Sequence, residues 1–113
     1  MIDLQEIQTA DITSVLLTGK IDASTTPQIE TRLMEMIRSG KKYLAIDFSK
    51  VTYLASSGLR MLLVVTRKIT ELDGRLVLCG LDQTMLDTLE ITGFLPYFQT
   101  VATRDEAIKI LNS

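Results

Sequence analysis

The apolar positions change period several times along the chain, and each change marks an element. Ile2 to Gln8 alternates weakly and predicts a marginal strand; Ala10-Asp11 predicts a turn. Ile12 to Thr18, with Val15, Leu16 and Leu17, predicts a second strand that Gly19 ends. Thr25-Thr26-Pro27 predicts a helix start, a hydroxyl cap followed by a proline whose missing N–H is not needed there. Ile29, Leu33, Met36 and Ile37 then fall on one helical face, and Gly40 closes the helix as a left-handed cap. The short apolar run within Lys42–Phe48, bounded by Ser49-Lys50, predicts a strand buried on both faces.

A second helix begins at Ser56-Ser57-Gly58, places Leu59, Leu62, Leu63, Thr66, Ile69 and Leu72 inward, and ends at Asp73-Gly74. Arg75 to Cys79 predicts another buried strand. Asp82 caps a third helix, with Met85, Leu86 and Leu89 inward and Gly93 at its end. Tyr97 to Val101 predicts the last strand. Thr103-Arg104-Asp105-Glu106 is a capping box that opens a fourth helix, with Ala107, Ile110 and Leu111 toward the core. Strands and helices alternate from the second strand on, which predicts an α/β fold with a mostly parallel sheet and right-handed crossovers. The first strand has no helix after it and is expected as an antiparallel edge.

A length of 113 residues fits a single domain, 1–113, with a core large enough to need no metal or disulfide. The net charge of −2 and the absence of any block of five like charges argue against nucleic-acid binding. The chain contains no histidine, which removes the commonest general base and metal ligand and excludes Ser-His-Asp and Cys-His catalysis. With one cysteine, Cys79, neither an internal disulfide nor a Cys/His zinc site can form; Cys79 reads as a small buried hydrophobe. An acidic start, Met1-Ile2-Asp3-Leu4-Gln5-Glu6, and the lack of a spanning apolar run predict a cytoplasmic protein away from membranes.

Sites in such sheets lie beyond the carboxyl ends of the parallel strands. Three segments are expected to meet there: Gly19–Thr26, Ser49–Gly58 and Gly80–Asp82. Ser56-Ser57 either caps its helix or presents a hydroxyl at a helix N-terminus suited to an anion. Gly58 costs helix propensity, so something approaches its backbone closely, a partner or a packed neighbour. Asp47 suggests a receiver-domain phosphoacceptor, but neither the acidic pair nor the lysine of that site is present, so its expected role is to bond loop N–H groups.

The stretch Leu44-Ala45-Ile46-Asp47-Phe48-Ser49-Lys50-Val51-Thr52-Tyr53-Leu54-Ala55-Ser56-Ser57-Gly58-Leu59 resembles the core motif of STAS domains of the bacterial anti-sigma factor antagonist type. Gly19-Lys20-Ile21-Asp22, Gly74–Gly80, Asp105-Glu106-Ala107 and Ile110-Leu111 resemble further family segments in the same order. The resemblance implies four parallel strands plus one antiparallel edge strand, in spatial order 1-3-2-4-5, with about four helices. It implies a monomeric, non-enzymatic, cofactor-free protein that binds an anti-sigma factor which is also a serine protein kinase, and so frees a sigma factor. Phosphorylation of Ser56 breaks the complex and a serine phosphatase restores it. The implied partner surface comprises Asp22, Ala23 and Ser24, then Leu54, Ala55, Ser57 and Gly58, and the exposed first turns of the helix at Arg60 and Met61. Ser56 is expected to be accessible, with Ser57 more buried and ordering the turn. One departure stands out: Ala55 occupies the position where the family commonly has aspartate. Two alternatives are a non-phosphorylated STAS scaffold of a signalling assembly or transporter, and a small ligand-binding or catalytic α/β protein.

Overall fold

The computed structural model describes residues 2–113. Ile2–Thr9 (β1) and Ile12–Ile21 (β2) form an antiparallel hairpin. Its two-residue turn holds Ala10 at φ +54°. The chain then alternates: Thr26–Arg38 (α1), Tyr43–Leu54 (β3), Ser56–Glu71 (α2), Arg75–Cys79 (β4), Gln83–Ile91 (α3), Gln99–Val101 (β5) and Arg104–Leu111 (α4). The sheet order is β1-β2-β3-β4-β5, with β2 to β5 parallel. This corrects the expected order 1-3-2-4-5. A turn of two residues can only place β1 beside β2, and each later crossover advances the sheet by one neighbouring strand.

The sheet divides two unequal cores. On one face α1, α2 and α3 bury Ile29, Leu33, Leu59, Leu62, Val65, Ile69 and Leu89 against Val15, Leu17, Ile46, Phe48 and Leu78. On the other, α4 alone packs Ala107 and Leu111 against Ile12, Ala45, Val77 and Cys79. Strands buried on both faces explain why β3 and β4 read as continuous apolar runs rather than alternating ones.

The strand boundaries and the inward face of α2 differ from the sequence expectation. The strand expected to stop at Phe48 continues to Leu54, paired with β2, which itself runs past Gly19 to Ile21. Register shifts between Leu16 and Thr18 and between Gly19 and Lys20 put an extra residue into β3 each time. Bulges of this kind break the two-residue alternation, so the pattern that normally reveals a strand is lost where the strand continues. Tyr97 belongs to a 3-10 turn, Leu95–Tyr97, in which the Tyr97 N–H donates to the Phe94 carbonyl, and the last strand starts only at Gln99. The buried face of α2 consists of Gly58, Leu59, Met61, Leu62, Val65 and Ile69, whereas Leu63 and Thr66 are half-buried and Leu72 is exposed. α2 packs against both the sheet and α1, which turns its inward face toward Met61 and Val65.

Among the described residues no helix is long and apolar enough to cross a membrane.

Candidate functional site at the tips of β2 and β3

The last β3–β4 pair is Asp47↔Cys79, whereas the β2–β3 pairing runs on to Ile21↔Leu54. At about 3.3 Å per residue, β2 and β3 form an arm that extends roughly 20 Å beyond β4. The chain turns back at its tip into α1 and α2, so both helix N-termini sit there. The Ala55 N–H donates to the Ile21 carbonyl at 2.8 Å, which ties the two tip loops together.

The first loop is organised by Asp22. Its Oδ1 accepts hydrogen bonds from the Ser24 N–H (3.0 Å), the Ser24 hydroxyl (2.7 Å) and the Thr25 N–H (3.1 Å). The Ser24 hydroxyl, assisted by the loop N–H groups, lowers the Asp22 pKa below its ordinary value, because these donors favour the carboxylate. Thr25-Thr26 was expected to supply a hydroxyl cap to α1, and the structure starts the helix one residue earlier than a cap directly before Pro27 would, with Thr25 at the cap. The Thr25 hydroxyl, however, donates to the Lys20 carbonyl at 2.9 Å and accepts from the Asp22 N–H at 3.0 Å, closing the turn onto β2 instead. The Thr26 hydroxyl donates to the Asp22 carbonyl at 2.7 Å. Thr25 and Thr26 lie in the expected Gly19–Thr26 segment but were not among the residues of the implied partner surface. The signal that reveals them is a run of hydroxyl side chains directly after an aspartate that forms its own local turn.

The second loop carries the serines. Ala55 occupies the N-cap position of α2 and supplies no side-chain cap, and no acidic residue stands in the first turn. Neither serine is therefore the N-cap. Ser56 is the first helical residue and is exposed, while Ser57 is half-buried. The Ser57 Oγ is buried without a hydrogen-bond partner, so Ser57 does not order the turn through a hydrogen bond. The close approach inferred at Gly58 is internal. A Cβ there would lie 2.6 Å from Cγ2 of Ile21 and 3.1 Å from Cδ1 of Leu54, so only glycine lets α2 seat against both strand ends.

The residues of the expected partner surface thus fall into two groups. Ala23, Ser24 and Arg60 are exposed, with Asp22, Ala55 and Ser57 half-buried beside them. Leu54 (8% exposed), Gly58 and Met61 (3%) are buried. Met61 was expected on the exposed first turns of α2. It points instead into the core shared by the sheet and its helices, because only Arg60 of that pair faces outward.

Gly80 does not join the tip. It lies at the base of the arm, at φ +72°, where a Cβ would meet Oδ1 of Asp47 at 2.7 Å and the Ser49 nitrogen at 2.8 Å. Asp47 Oδ1 accepts from the Ser49 N–H at 2.9 Å, so Asp47 does bond a loop N–H, at a bulge of β3. Beneath it Cys79 is buried and its thiol is pushed up to about 12, by burial first and then by the negative charge of Asp47. Among the described residues no group of three or more acidic or cysteine side chains could hold a metal ion.

The sequence matches the STAS domain over residues 2–107. A protein of Bordetella bronchiseptica named BtrV, a candidate anti-sigma factor antagonist, is 31% identical over 91 residues, which cover 80% of this chain and 78% of the relative. An anti-sigma factor antagonist from Mycobacterium paratuberculosis superposes with a TM-score of 0.91 at 22% identity, over 100% of this chain and 96% of that one. The Bacillus cell fate determinant SpoIIAA in its phosphorylated form superposes with a TM-score of 0.73 at 25% identity, over 95% and 97% of the two chains. The five-stranded mixed sheet, the four helices and the match along nearly the whole sequence place this chain in the STAS domain family.

Proposed function

We propose that this protein is an anti-sigma factor antagonist whose partner binding is controlled by phosphorylation of Ser56. Unmodified, it binds an anti-sigma factor that is also a serine kinase and so frees a sigma factor; phosphate on Ser56 breaks the complex, and a serine phosphatase restores it. The observation that carries this reading is the exposed Ser56 at the head of α2, on the same tip as the Asp22 turn. The names of relatives support it, as does the existence of SpoIIAA in a phosphorylated form. The role is non-enzymatic and belongs in the cytoplasm, beside the transcription machinery.

Asp22, Ala23, Ser24, Ala55, Ser56, Ser57 and Arg60 form the contact surface in this reading. Leu54, Gly58 and Met61 set its shape from beneath. A phosphate adds about −1.5 to −2 charges at neutral pH. The positive end of α2 tolerates such an anion, so the fold needs no rearrangement. The effect falls on the partner, which would have to bury that charge. An unpaired buried charge at an interface costs about 2–5 kcal/mol, a weakening of roughly thirtyfold to several thousandfold.

Calorimetric titration of wild type, Ser56→Ala and Ser56→Asp against the anti-sigma kinase tests the reading. Ser56→Ala is expected to bind as wild type does and to resist release by ATP. Ser56→Asp is expected to bind at least thirtyfold more weakly, with an unchanged melting temperature. Equal affinity of the two variants, with no release of wild type on phosphorylation, would make the protein a scaffold. The alanine at position 55, where the family commonly has aspartate, is the feature that favours that second reading.

A further inference from the structure

We propose that Arg60 is the intramolecular counter-ion of a phosphate on Ser56, so that phosphorylation both adds a charge to the contact surface and withdraws an arginine from it. The inference rests on Ser56 being the phosphoacceptor.

Ser56 is the first residue of α2, and Arg60 follows it by four. Positions i and i+4 lie on one helical face, with Cβ atoms about 5–6 Å apart. Side chains on a helix lean toward its N-terminus, so the Arg60 side chain reaches back over the turn that carries Ser56. Both residues are exposed, and nothing buried must move for them to meet.

The guanidinium is also uncommitted. The two ion pairs among the described residues, from Arg32 and Lys41, both go to Glu6, and no carboxylate lies within ion-pair reach of Arg60. Nor does an acidic residue of the first turn compete for it, since the first turn has none and Ala55 stands just before the serine. Across the tip, the Asp22 carboxylate is already engaged by donors of its own loop. Arg60 stands just past the first turn of α2, where the helix dipole acts weakly and offers it no partner. A phosphate one turn earlier supplies that partner, and the planar fork of arginine matches two phosphate oxygens at once.

The test places phosphoserine at position 56 by genetic encoding, so that no kinase is involved, and follows the phosphate by phosphorus NMR from pH 4 to 8. The second ionisation of phosphoserine lies near pH 6 and is favoured by a neighbouring cation. The second ionisation constant is expected to be about twofold larger in wild type than in Arg60→Gln, the scale of an exposed i, i+4 pair, with Arg60→Lys retaining most of the difference. Superimposable curves for wild type and Arg60→Gln would overturn the assignment. A merely structural role of Arg60 would not move the phosphate ionisation. Failure of the Ser56 switch itself would show in the calorimetric titrations and leave these curves untouched, so the two ideas fail separately.

Discussion

Replacing Gly58 by alanine sets helix propensity against packing, and the distances decide the sign. Alanine is favoured over glycine by up to about 1 kcal/mol inside a helix. The gain is smaller at position 58, the third residue of α2. Against it, the new methyl would lie 2.6 Å from Cγ2 of Ile21 and 3.1 Å from Cδ1 of Leu54. Carbon atoms in contact prefer about 3.5–4.0 Å, so roughly 1 Å must be found. Leu54 can yield through its outer torsion. Ile21 cannot yield so easily: Cγ2 is bonded directly to its Cβ, the residue is fully buried, and its backbone is held by the Ala55–Ile21 hydrogen bond. Overpacking of this kind costs about 1–3 kcal/mol. Gly58→Ala should therefore lower stability by about 1–2 kcal/mol, which for a domain of this size lowers the melting temperature by roughly 4–8 °C. Urea unfolding followed by far-ultraviolet circular dichroism should show a lower midpoint at unchanged slope. In an Ile21→Ala background, which removes Cγ2, the same substitution should cost less or become stabilising. A Gly58→Ala protein as stable as wild type, or an equal cost in both backgrounds, would refute the idea that this contact is what demands glycine.

Two further outcomes follow from the charges. Asp22 has a lowered pKa in the folded protein, so its stabilising contribution is present above the unfolded carboxylate value, about pH 4, and is lost as pH falls through the folded value. Between pH 6 and pH 2 the melting temperature of wild type should therefore fall more than that of Asp22→Asn, and parallel curves would contradict the assignment. Cys79, buried and with its thiol pushed up to about 12, should resist a thiol reagent at pH 8 in native protein and react stoichiometrically in urea; rapid native labelling would show that the α4 side of the sheet opens readily.

The alternation of elements was legible because both strand and helix periods are strong where packing is regular. Ile29, Leu33, Met36 and Ile37 are buried as their spacing requires. The Asp82 cap and the Thr103–Glu106 capping box are formed, with the Met85 N–H on Asp82 Oδ1 at 2.8 Å and the Glu106 N–H on Thr103 Oγ1 at 3.2 Å. What was not legible lies at the tip. The bulges of β3 put Ser49, Lys50 and Thr52 out toward solvent and erase the alternation, so the arm looked like a loop. Thr25-Thr26 reads as a hydroxyl cap before proline, yet both hydroxyls are spent on the turn that Asp22 organises and on the end of β2. The resemblance implied an exposed Met61 beside Arg60, yet on α2 a single residue step of about 100° carries the chain from solvent to core. The order of strands was misjudged because the resemblance implied 1-3-2-4-5, although the two-residue turn at Ala10-Asp11 already requires β1 beside β2.

The division of the tip into buried and exposed residues means that the proposed charge change at Ser56 need not disturb the fold. Ile21, Leu54, Gly58 and Met61 are interior. They fix where α2 begins relative to the Asp22 turn, and the Ala55–Ile21 hydrogen bond locks the two loops together. The Asp22 turn satisfies its own donors and needs nothing from the serine loop. Ser56 and Arg60 therefore project from a frame that neither of them supports. An aspartate at position 55 would cap α2 and add roughly 1 kcal/mol of stability. It would also place a negative charge beside Ser56, the proposed phosphoacceptor. A helix start with neither a side-chain cap nor an acid in its first turn is the weaker arrangement for stability, and it is the arrangement that leaves both the helix end and Arg60 available to an incoming phosphate.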